Sequence, residues 1–84
     1  MFSPTDFGRE VRTAVEYYNN GQYDESVDLW RNILKSDHNY TVGYISIGKS
    51  LMANKNYAEA EKNFLLGNDR EGNSEAFAAL RKQV

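Results

Sequence analysis

The chain has 84 residues, enough for one small domain, and its 40 % hydrophobic and 26 % charged content is that of an ordinary globular protein. A formal charge of −2, without any run or stripe of Lys and Arg, argues against nucleic acid or an anionic membrane as the partner. Cysteine is absent, which removes disulfides, thiol catalysis and thiolate-bound metal together.

The first residues, Met1-Phe2-Ser3-Pro4-Thr5-Asp6, hold neither a basic stretch nor an apolar one, so they do not read as a signal peptide. Ser3-Pro4-Thr5-Asp6 reads instead as a helix start. Ser3 can cap, Pro4 suits the first helical position and Asp6 can complete a capping box. Phe7, Val11, Ala14, Val15 and Tyr18 come next at helical steps, which predicts a first helix over residues 4–19. Asn19-Asn20-Gly21 ends it, because Asn and Gly tolerate the left-handed backbone that a helix terminus needs.

A second helix opens at Tyr23-Asp24 and carries Val27, Trp30, Ile33 and Leu34 on one face. Its early acids, Asp24, Glu25 and Asp28, and its late Lys35 oppose the helix dipole at both ends. Ser36-Asp37-His38-Asn39 breaks the chain. A third helix is expected over residues 41–53, with Tyr44, Ile47, Gly48 and Leu51 on one face. Gly43 and Gly48 each cost a helix about 1 kcal/mol against alanine, which makes sense where another helix approaches closely.

Asn54-Lys55-Asn56 forms the next turn. A fourth helix is expected over about residues 57–66, closed by Gly67-Asn68 and succeeded by a polar loop at residues 69–73. Ser74-Glu75 starts an expected fifth helix with Phe77, Ala78 and Leu80 on its buried side. The chain then ends at Leu80-Arg81-Lys82-Gln83-Val84 without a stop signal, which fits a piece excised from a larger protein. No stretch alternates with a period of two, so the expected fold is all-α, and no apolar run is long enough to span a bilayer.

One spacing orders these elements. Tyr23 and Tyr57, Glu25 and Glu59, Ser26 and Ala60, and Trp30 and Phe64 each stand 34 positions apart. A period of that length belongs to helix-turn-helix arrays, and the residues resemble the tetratricopeptide repeat family. The second unit carries the closer likeness, through Tyr44, Ile47-Gly48, Leu51, Tyr57, Ala60, Phe64 and Gly67. The first carries it through Ala14, Tyr17, Gly21, Tyr23, Ser26 and Trp30. Glu10, Thr13, Ile33 and His38 depart from the family pattern and suggest a terminal first repeat.

The resemblance implies a right-handed superhelical stack of antiparallel hairpins in one domain spanning residues 1–84. Repeat one would cover about residues 7–40, repeat two about 41–74, and a capping helix about 74–84. More faintly, the stretch Gly67-Asn68-Asp69-Arg70-Glu71-Gly72 is similar to the segment after a repeat pair in some larger bacterial membrane- or surface-associated proteins. Such a parent protein stands beside a cytoplasmic placement.

In that family the inner faces of the first helix of each unit form a concave groove. The matching positions here are Gly8, Val11, Val15, Tyr18 and Asn19 in the first unit, and Val42, Ile45, Lys49, Met52 and Ala53 in the second. The functional expectation is a protein-interaction module or scaffold that binds a peptide or partner domain there, with Val11, Val15, Tyr18, Asn19, Ile45, Lys49 and Met52 as the contact set. Some family members grip a terminal carboxylate with several Lys, Arg and Asn side chains. Val11, Val15 and Ile45 replace those here and only Lys49 is charged, which argues against that clamp. The alternative is a structural unit whose end faces self-associate into a homodimer.

No catalytic, cofactor or metal role is expected. His38 stands between the turn formers Asp37 and Asn39, and a metal site needs three or four ligands. Ser26, Ser46, Ser50 and Ser74 have no nucleophile-elbow context, and the acids Asp24, Glu25 and Asp28 suit a solvated helix N-terminus.

Overall fold

A computed structural model describes residues 4–71 of the chain, with side-chain surroundings described for residues 7–67. It is all-α: α1 spans Pro4–Asn19, α2 Tyr23–Ser36, α3 Thr41–Ala53 and α4 Tyr57–Glu71. Each helix packs chiefly on the next in sequence, and the four make a small bundle.

The expected five-helix stack is thereby corrected to a four-helix bundle among the described residues. The capping helix expected at about residues 74–84 lies outside them. The expected stop at Gly67 and the polar loop after it are also corrected, since α4 runs on through Gly67 to Glu71. The reason is packing. Gly67 is buried, and a Cβ placed on it would stand 2.6 Å from Cδ1 of Ile45. The glycine is there to admit a neighbouring helix, not to end its own.

The remaining helix limits match the residues expected to set them. Pro4 is the first residue of α1, where its missing N–H is no loss. At the end of α1, Gly21 takes φ +78°, Gln22 N–H donates to the Tyr17 carbonyl at 2.8 Å and Gly21 N–H donates to the Tyr18 carbonyl at 3.0 Å. That pair of bonds is a Schellman ending, which satisfies carbonyls the helix itself leaves open. The end of α3 repeats it. Asn56 N–H donates to the Leu51 carbonyl at 2.8 Å, Lys55 N–H donates to the Met52 carbonyl at 3.0 Å, and Lys55 takes φ 65°. Each donor and acceptor is displaced by 34 positions from its counterpart, so the period seen in the side chains is also a period of the backbone.

The core joins Ala14, Val27, Trp30, Ile33, Leu34, Ile45, Ile47, Leu51, Ala60 and Phe64. Within it α3 is the central helix, buried on opposite faces by α2 and α4, and Lys49 is its one charged residue. Tyr40, just before α3, ties the start of the bundle together. Its ring meets Phe7 of α1 edge-on at 5.0 Å and lies tilted against Trp30 of α2 at 6.3 Å. Tyr44 then pins the loop by donating its hydroxyl to the His38 carbonyl at 2.9 Å.

Candidate functional site

Two helices that are not sequence neighbours, α1 and α3, flank a hollow of about 170 Å³. Val15 and Tyr18 come from α1, Ser46, Lys49 and Ser50 from α3, and Trp30 of α2 closes it. The position is set by helical spacing. Val15 and Tyr18 are three residues apart on α1, next to the buried Ala14. Val42, Ser46, Lys49 and Ala53 repeat at four-, three- and four-residue steps along one line of α3.

Val15 is 45 % exposed and Tyr18 36 %, whereas Trp30 is only 2 % exposed. The hollow is therefore an exposed apolar rim with a tryptophan at its base. Tyr18 is braced by the Tyr23 ring, edge-on at 5.5 Å. Such pairing adds about 0.5–1.5 kcal/mol and keeps the rim in place.

The polar groups around the hollow share one character. Lys49 is exposed and forms no ion pair or hydrogen bond among the described residues. The indole N–H of buried Trp30 has no hydrogen-bond acceptor among them either. The Ser50 hydroxyl, fully buried, reaches only the Ser26 hydroxyl, at 3.5 Å. Ser26 is satisfied elsewhere, donating to the Ala14 carbonyl at 2.9 Å. A buried donor without an acceptor costs about 1–3 kcal/mol, which makes the indole a group in want of a partner. Among the described residues, no carboxylate or amide side chain borders the hollow.

Of the seven side chains expected to line a groove, Val15, Tyr18 and Lys49 border this hollow together. Val11 and Met52 lie half-buried against the core. Ile45 is 8 % exposed and faces α4 over Gly67, because that glycine offers it a better apolar contact than the open side. Asn19 is exposed and borders a separate polar recess with Thr13, Glu16, Tyr17, Asn20 and Gln22. Trp30, Ser46 and Ser50 lie outside the expected set. The signal for the serines is their position beside Lys49 on the same side of α3, and for Trp30 its size: a large indole at the junction of three helices reaches both the core and its edge.

Other polar contacts knit the surface. Asn32 donates to Glu10 at 3.2 Å and Asn54 donates to Asp24 at 3.2 Å, joining α1 to α2 and the second turn to α2. Glu10 thus serves as an acceptor that ties α1 to α2. Among the described residues no group of three or more His, Cys, Asp or Glu could hold a metal ion, and no helix is long and apolar enough to cross a membrane. Compared with family models, curated proteins and solved structures, the chain finds no match.

Proposed function

We propose that this protein is a tetratricopeptide-like binding module that takes up an extended segment of a partner protein in a groove between α1 and α3. The observation that carries the reading is the hollow formed by Val15, Tyr18 and Lys49 over the buried Trp30. The family assignment is supported by the 34-residue register, which extends from the side chains to the hydrogen bonds of both turns. Exposed apolar side chains grouped beside a concavity are a common mark of interaction surfaces. A binding role is favoured over an enzymatic one because no histidine or carboxylate stands among the described residues at the hollow to form a catalytic set with its hydroxyls.

The test is peptide display against the protein, with amide and indole NMR mapping of the recovered peptides. Shifts centred on Val15, Tyr18, Lys49 and the indole of Trp30, the only tryptophan, are expected. Shifts confined to the outer face of α2, at Glu25, Asp28 and Leu29, would overturn the reading, as would equal recovery of peptides by Val15→Asp.

A second reading, self-association, draws on a different place. Leu65 and Leu66 are adjacent on α4 and 41 % and 42 % exposed. Sedimentation over a range of concentrations tests it: a dimer weakened by Leu65→Asp supports it, and a monomer throughout removes it.

A further inference from the structure

We infer that the hollow recognises an acidic side chain in the middle of the bound segment, flanked by apolar residues. This deepens the binding role proposed above and rests on it. The hydrogen-bonding inventory sets the chemistry. An ammonium and an indole N–H can only donate, and Lys49 and Trp30 supply these two. Ser46 and Tyr18 add hydroxyls that can donate as well, whereas the Ser50 hydroxyl gives its proton to Ser26. Among the described residues, no side chain bordering the space is an obligate acceptor. A donor-rich hollow with a cation that has no partner among the described residues is complementary to a carboxylate, and the formal charge of its described lining is positive although the chain as a whole carries −2.

Size and surroundings favour a side chain over a chain terminus. A cavity of about 150 Å³ accepts a benzene-sized group, so 170 Å³ takes a Glu side chain, methylenes included. Along α3 the donors Ser46 and Lys49 lie between Val42, exposed, and Ala53, also exposed. A segment crossing the hollow therefore meets apolar surface on both sides of the charge. Its methylenes lie against Val15 and Tyr18, and its carboxylate meets Lys49 and the Ser46 hydroxyl over the Trp30 indole.

The test uses three short probes: acetyl-Leu-Glu-Leu-amide, acetyl-Leu-Gln-Leu-amide, and acetyl-Leu-Gln-Leu with a free terminal carboxylate. The readout is the Trp30 indole N–H resonance, which moves when that group gains an acceptor. The Glu probe is expected to shift it downfield and to bind at least about fivefold tighter than the Gln probe, with the difference lost in Lys49→Met, a change at an exposed position that leaves the fold intact. Equal binding of the Glu and Gln amides would overturn the inference. So would equal binding of the free-terminus probe, which would assign the site to a chain end. Peptides from display that map to Val15 and Tyr18 without moving the indole would sink the acidic specificity while leaving the groove itself standing.

Discussion

A Cβ placed on Gly48 would stand 2.7 Å from two atoms of the Phe64 ring. No real side chain tolerates that distance, and Phe64 is 1 % exposed, so its ring has nowhere to swing. The glycine is thus the condition for α3 and α4 to touch. Gly48→Ala gains about 1 kcal/mol of helix propensity but overpacks the core at a cost of about 1–3 kcal/mol. The net outcome is a loss of up to about 2 kcal/mol. Gly43→Ala is the control: its Cβ would meet the branched end of Leu34, at 2.9 Å and more, and that side chain can shift. Urea unfolding should rank Gly48→Ala clearly below Gly43→Ala, and the reverse order would disprove the close approach.

The two turns predict opposite effects of glycine. Lys55 adopts the left-handed conformation that Gly21 adopts in the first turn, and for a residue with a side chain this costs about 1–2 kcal/mol. Lys55→Gly removes that cost while adding unfolded-state entropy, leaving a stabilisation of about 0.5–1 kcal/mol. Gly21→Ala destabilises by about 1 kcal/mol or more. Chemical denaturation of the two variants in parallel checks both signs.

The buried hydroxyls of Ser26 and Ser50 form a coupled pair. Ser26→Ala removes a 2.9 Å bond to the Ala14 carbonyl and leaves Ser50 without its contact, at a cost of about 1–2 kcal/mol. Removing both hydroxyls leaves fewer stranded groups, so Ser26→Ala with Ser50→Ala should lose less than the sum of the single changes. A double-mutant cycle measures this, and strict additivity would mean that the 3.5 Å contact carries no energy.

The rim of the hollow should be dispensable for folding. Val15→Asp, at a 45 % exposed position, is expected to change stability by no more than about 0.5 kcal/mol. Tyr18→Asp loses its ring contact with Tyr23 and should cost up to about 1 kcal/mol. Trp30→Ala, by contrast, truncates a core aromatic and should cost about 3–5 kcal/mol. Thermal melts of the three variants separate rim from base.

Local chemistry made most of the helix limits legible. Pro4, the Asn-Gly ending of α1 and the polar Asn54-Lys55-Asn56 segment each act within a few residues of themselves, so they can be read without the fold. Gly67 could not be read that way. A glycine that ends a helix and one that admits a neighbour look alike until the neighbour, here Ile45, is in view. The repeat did hold a clue, since Gly67 stands 34 positions after Ile33, which is well inside α2. The same limit applies to the hollow. Spacing assigns Val15, Tyr18 and Lys49 to helix faces, but only packing brings Trp30 beneath them and turns Ile45 away.

The hydroxyl contact between Ser26 and Ser50 also makes the two hairpins non-interchangeable. The residue 34 positions after Ser26 is Ala60, and the residue 34 positions before Ser50 is Glu16. In a chain rebuilt with the hairpins in the opposite order, a methyl group would confront a carboxylate sealed from water. The same shape is written twice, yet this one junction fixes which copy leads and which comes second.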